Sequence, residues 1–115
     1  MDSWFYMNTK EKTAADLKEA AAGFEGAEPE LWREANILVI TLKDGSTVDF
    51  EPMQPYFRSK EDDEYLKRNQ ISTLFAVAAG GADEKELRAL FGKIARETDG
   101  YFCADTPDFT PVIKA

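Results

Sequence analysis

The stretch Ile37-Leu38-Val39-Ile40-Thr41-Leu42-Lys43-Asp44-Gly45-Ser46-Thr47-Val48-Asp49-Phe50-Glu51 decides how this chain folds. Two runs rich in β-branched residues flank Asp-Gly, a strong short-range hairpin signal. A two-residue type I′ turn at Asp44-Gly45 pairs Lys43 with Ser46, then Thr41 with Val48 and Val39 with Phe50. In that register Ile37, Val39, Val48 and Phe50 share one face, the expected core side. The other face carries Leu38, Ile40 and Leu42 beside Thr47, Asp49 and Glu51. An aliphatic strand beside a polar-faced neighbour requires a cover, supplied by a long loop or a second subunit. Leu38, Ile40 and Leu42 are thus expected to contact a lid or a dimer partner.

On the amino-terminal side, Trp4 to Asn8 is an aromatic run that reads as a first strand. Thr13-Ala14-Ala15-Asp16 follows as a capping box with Asp in place of Glu or Gln. Leu17, Ala20, Ala21 and Phe24 then take the i, i+3, i+4, i+7 spacing of one buried helical face. Gly23 and Gly26 close that helix, and Pro29 opens a loop or short helical turn carrying Leu31 and Trp32. Beyond the hairpin, residues 52–63 read as a loop with Pro52, Met53, Pro55, Tyr56 and Phe57. A short helix is expected from about Asp63 to Asn69.

Ile71 to Ala78 fits two descriptions. As a helix it aligns Ile71, Leu74, Phe75 and Ala78; as a strand it alternates Ile71, Thr73, Phe75 and Val77 with Ser72, Leu74 and Ala76. Its β-branched and aromatic content favours the strand. Gly80-Gly81 breaks the chain, and Asp83 with Glu86 starts a helix whose face is Leu87, Leu90, Phe91 and Ile94. Asp99-Gly100 ends it, and Tyr101 to Ala104 reads as a last strand.

Strand–helix–strand therefore occurs twice, over 4–42 and 71–104. This order resembles that of ferredoxin-like layers. The expected fold is a single α+β domain over 1–115: an antiparallel sheet of about four to five strands with two helices on one face. A helix at 71–78 would instead give a helical hairpin on a four-stranded sheet.

The chain has no histidine, one cysteine (Cys103), and 22 acidic against 14 basic side chains. Ser-His and Cys-His nucleophiles and His-ligated metals are thereby excluded. Asp49 and Glu51 project from one strand face and could approach a divalent cation. No lysine follows at the spacing of a carboxylate-metal nuclease, and a solvated strand face accounts for the pair. Asp105 and Asp108 bracket Thr106-Pro107 just after a strand, where a cationic ligand or a turn accounts for them. Cys103 lies between Phe102 and Ala104 with only acidic ionisable neighbours, so it reads as a buried apolar residue. Gly80-Gly81 lacks any phosphate-loop pattern, and acids crowd the following helix start. No metal, cofactor or catalytic residue is assigned.

The net charge of −8 repels phosphate backbones and anionic lipid, so neither nucleic acid nor membrane is an expected partner. No stretch approaches the ~20 apolar residues of a membrane span, and the single thiol suits a reducing compartment. The expectation is a cytoplasmic, non-enzymatic protein–protein interaction module with a basic partner, like an immunity or antitoxin protein by analogy of charge. Its contact residues are expected among Trp32, Met53, Tyr56, Phe57, Arg58, Glu61, Asp62 and Asp63, where large apolar groups adjoin charge. A folded-back loop and a solvated acidic surface are the plainer accounts of the same residues. The alternative is a dimeric small-molecule-sensing or regulatory domain joined through its sheet.

Overall fold

A computed structural model describes residues 2–55, 57 and 59–114. Along the chain lie β1 (Ser3–Asn8), α1 (Ala14–Ala21), β2 (Glu28–Trp32), a 3-10 turn (Arg33–Ala35) and β3 (Ile37–Thr41). There follow β4 (Thr47–Met53), α2 (Lys60–Arg68), β5 (Thr73–Ala78), α3 (Glu84–Thr98), β6 (Tyr101–Ala104) and β7 (Val112–Ile113). The protein is α+β, and its described residues form one seven-stranded antiparallel sheet in the order β2-β3-β4-β5-β1-β6-β7.

Helix α1 starts where its capping box dictates: Thr13 Oγ1 accepts from Asp16 N at 3.3 Å, and Asp16 Oδ2 accepts from Thr13 N at 2.8 Å. Asp83 caps α3 by accepting from Glu86 N at 3.0 Å, and Asp99 ends that helix with φ 62°. Both helices bury their apolar stripes against one face of the sheet. Leu17, Ala20, Leu87, Leu90, Phe91 and Ile94 meet Trp4, Tyr6, Leu38, Ile40, Phe50, Phe75 and Phe102 in one cluster. Each large side chain so buried contributes roughly 1.5–3 kcal/mol. Phe91 stacks on Phe102, ring centroids 4.0 Å apart and 5° from parallel.

This core also holds a satisfied polar group. Tyr6 Oη donates to Thr98 Oγ1 at 2.7 Å, and Asn8 Nδ2 donates to Tyr6 Oη and to Thr98 O, each at 2.9 Å. Gly100 passes directly against it; a Cβ there would stand 2.6 Å from Tyr6 Oη and 2.9 Å from Met7 O. Only glycine fits.

Helix α2 lies on the opposite face. Leu66 enters a second, smaller cluster with Phe5, Met7, Ile71, Leu74, Cys103 and Phe109, flanked by Phe57, Tyr65 and Tyr101. Tyr65 Oη and Tyr101 Oη are 3.0 Å apart.

The hairpin register departs from expectation by one residue. Leu38 pairs with Phe50, Val39 with Asp49 and Ile40 with Val48. A type I′ turn needs positive φ at both central residues, but here only Gly45 has it, at 87°. Gly45 N donates to Leu42 O at 2.9 Å and Leu42 N to Ser46 O at 2.8 Å, making a three-residue loop with a bulge at the glycine. Asp44 Oδ1 also accepts from Ser46 N at 2.9 Å.

A one-residue slip exchanges the faces of a strand. Leu38, Ile40 and Leu42 therefore sit in the core beneath the helices, 0%, 0% and 2% exposed, and form no dimer or lid surface. Ile37 and Val39 take the outer face instead. Segment 28–32, expected as loop or turn, pairs with β3 and adds an edge strand. Together with two-residue β7, this makes seven strands rather than four or five. The 73–78 segment is a strand, as its β-branched content favoured. Helix α2 begins at Lys60, ahead of Asp63, because Glu61, Asp62 and Asp63 suit the positive end of its dipole.

Candidate functional site: the outer sheet face

Helix α2 and Phe57 cover the outer face only over β1, β5 and β6. Among the described residues this cover does not extend over β2, β3 and β4, where the face is open. Registers place two full rows across it, Glu30–Val39–Asp49 and Glu28–Thr41–Thr47, with the Trp32–Ile37 pair next along β2 and β3 and Glu51 two residues beyond Asp49 on β4. Met53 continues β4 beyond them. Trp32 is 52% exposed and Met53 37%, while Ile37 and Val39 are half-buried. Four carboxylates stand on these strands, and none of their outward positions is lysine or arginine.

The backbone explains why this face, rather than the sheet edge, is the accessible feature. Leu42 N bonds Ser46 O, and antiparallel pairing alternates from there, so Ile37, Val39 and Thr41 turn their backbone groups toward β2. Their partners Glu28, Glu30 and Trp32 bond inward, which leaves Pro29 and Leu31 facing the free edge. Pro29 has no N–H to offer a further strand, so the edge is blunted.

Asp49 and Glu51 share one face, as their spacing requires, and join a residue the sequence placed elsewhere. Across Ala76 and Ala78 of β5 and Ser3 of β1 they border a hollow of about 250 Å3 whose far side carries Asp105. Small residues on β5 and β1 make this depression. Among the described residues no group of three or more His, Cys, Asp or Glu side chains is arranged to hold a metal.

The other anticipated contact residues fall apart in space. Tyr56 and Arg58 lie outside the described residues. Phe57 is half-buried, 5.3 Å from the Phe5 ring and 5.8 Å from the Phe109 ring, so its loop folds back over the α2 side of the sheet. Asp63 accepts from Phe57 N at 3.2 Å and pairs with Lys67 at 3.0 Å. The Lys67 bond, then the Phe57 amide, hold its carboxyl below the usual range. Ser59 Oγ donates to Glu61 at 3.0 Å, and Asp62 is half-buried on α2.

Asp108 is a turn former. It accepts from Thr110 Oγ1 at 2.7 Å and Thr106 Oγ1 at 3.1 Å, and these bonds lower its pKa. Of the anticipated contacts among the described residues, Trp32 and Met53 alone reach the open face. Glu28, Glu30, Ile37 and Val39 were missed there, because they follow from the true hairpin register and from β2.

Cys103 is fully buried, its Sγ 4.0 Å from Met7 Sδ. Burial, with Asp105 adding a smaller push, raises its thiol from an ordinary 9.0 to about 12. The neutral thiol's stabilising effect is complete below the unfolded value and is lost as pH rises from about 9.0 toward 12. Native protein at pH 8 is therefore expected to resist a thiol-reactive disulfide reagent, reacting at the rate of global unfolding and quickly in urea. Rapid labelling of the native chain would contradict this burial.

A second concavity, an open cleft of about 600 Å3, lies among Phe24, Lys43, Lys85, Glu86 and Ala89. Asp44 and Asp83 border it but are engaged by Ser46 and Glu86 N. Glu86 Oε1 is buried without a hydrogen-bond partner. Compared with protein-family models, with curated proteins and with solved structures, the chain matches none.

Proposed function

We propose that this protein is a non-enzymatic interaction module that binds a basic protein partner through the open face of β2–β4. The observation that carries the reading is Trp32, Ile37 and Val39 set among Glu28, Glu30, Asp49 and Glu51 with no cation on those strands. Exposed aromatic and aliphatic groups supply the apolar centre of an interface, and a single-signed rim steers an oppositely charged partner. The absence of histidine and the deep burial of the one thiol support binding over catalysis. A cytoplasmic place and an immunity- or antitoxin-like role fit the charge and the lone thiol by analogy. The inner order β4-β5-β1-β6, with α1 and α3 on one face, supports the ferredoxin-like reading of the layer.

The alternative, a small-molecule-sensing domain, draws on the cleft beside Phe24 and the unpartnered Glu86 oxygen. Its dimeric form keeps the repeated strand–helix–strand order but not the face of Leu38, Ile40 and Leu42, which is core. Two copies facing through β2–β4 would also oppose like charges.

Titrating the full isotope-labelled chain with a short oligolysine at ~0.15 M salt tests the reading. Amide shifts are expected to concentrate on 28–32, 37–41 and 47–53. Shifts spread evenly over α1 and α3 would reject it, and shifts around Phe24 and Glu86 with a small organic cation would favour the alternative.

A further inference from the structure

We infer that the open face of β2–β4 seats a basic amphipathic helix lying along β3. This rests on the docking reading above and names the form of the partner. The argument is the pattern of the face. Ile37 and Val39 form an apolar stripe along β3. Glu28 and Glu30 run beside it on β2, and Asp49 and Glu51 on β4. A complementary surface must therefore carry an apolar seam with cations on both sides, which is the cross-section of a basic amphipathic helix.

The dimensions agree. The two acidic rows are two strand spacings apart, roughly 9.6 Å, close to the ~10–12 Å diameter of a helix with its side chains. Lysine or arginine on either flank of such a helix would descend onto one acidic row each, their aliphatic stems covering Ile37 and Val39. Trp32 closes one end of the stripe, and its 52% exposure leaves a ring face for an apolar anchor.

Other occupants fit less well. An extended segment adding to the sheet would pair with the edge that Pro29 blunts. Such a segment would meet Glu28 and Glu30 at most, leaving Asp49 and Glu51 without counterparts. A second copy brings like charge to both flanks.

The test uses the full chain and three synthetic Leu/Lys peptides of equal composition, about 14 residues each: one patterned as an amphipathic helix, one alternating as a strand, one scrambled. Trp4 is 1% exposed, so an emission shift on binding reports Trp32. The helical pattern is expected to bind about ten-fold tighter than the other two at ~0.15 M salt. Glu30→Lys and Asp49→Lys, one on each flank, should each weaken it at least about five-fold, whereas Glu19→Lys on α1 should change it less than about two-fold. Glu30 is exposed on an edge strand, so its variant keeps the fold and the test alive should Asp49→Lys destabilise the chain.

If the strand or scrambled peptide binds as tightly and the flank variants still matter, the docking reading stands and the helical partner is overturned. Sensitivity on one flank alone overturns it equally. No peptide-induced change at β2–β4 removes both.

Discussion

Replacing Phe102 with alanine is expected to lower the unfolding free energy by about 4 kcal/mol, within the range typical of buried Phe→Ala changes. Phe102 is fully buried on β6 and connects both layers of the main core. It stacks on Phe91 of α3 at 4.0 Å and meets the edges of Tyr6 at 5.1 Å and Phe50 at 6.2 Å. Its removal loses the transferred area and leaves a cavity that three aromatic neighbours cannot all collapse into. A small domain has only about 5–15 kcal/mol to lose, so the variant should melt well over 10 °C lower. Urea titration with an unchanged slope would measure it; a loss under about 2 kcal/mol would show that Phe102 is not this hub.

The second large effect separates neighbours on β3. Leu38→Asp should cost at least about 4 kcal/mol or abolish folding, because it places an unpaired carboxylate in an apolar core. Leu38 is 0% exposed and packed in the cluster beneath α1 and α3. Val39→Asp, on the open face, should cost no more than about 1 kcal/mol, mostly from repulsion by Glu30 and Asp49 across the strands. Circular dichroism and urea midpoints of the two variants decide the matter. The type I′ register predicts the reverse order, so a folded Leu38→Asp with an unfolded Val39→Asp would overturn the observed pairing.

That pair of variants also separates the features of this chain that are local in sequence from those that are not. Thr13 and Asp83 were legible as caps because each bonds a backbone amide three residues on, a purely local event. The face Leu87, Leu90, Phe91 and Ile94 was legible because helical periodicity decides burial within one element. Ile71 to Ala78 was ambiguous because short apolar runs satisfy both periods, and pairing with β1 and β4 resolved it.

The hairpin slipped for a different reason. Asp-Gly serves both a two-residue type I′ loop and a three-residue loop with a bulged glycine, and a period of two converts that choice into an exchange of faces. One signal pointed the right way: Leu38, Ile40 and Leu42 are more aliphatic than Ile37, Val39 and Thr41. Strand β2 escaped notice because Glu28-Pro29-Glu30 has low strand propensity; an edge position tolerates it, and pairing with β3 imposes it.

The candidate face was the least legible feature. Trp32 and Met53 were recognisable as large apolar groups beside charge, but their companions come from three strands whose order is non-local. Asp105 joins Asp49 and Glu51 only because β4, β5, β1 and β6 lie side by side. Composition determined that this protein lacks histidine chemistry and carries a net negative charge, and the order of its residues that it builds an α+β core from periodic apolar faces. Tertiary pairing alone decided which side of β3 is buried, and hence that the open surface is an apolar stripe between two acidic rows. The physical reason is that a turn one residue longer leaves local propensity almost unchanged, while the packed helices above accept only one of the two faces.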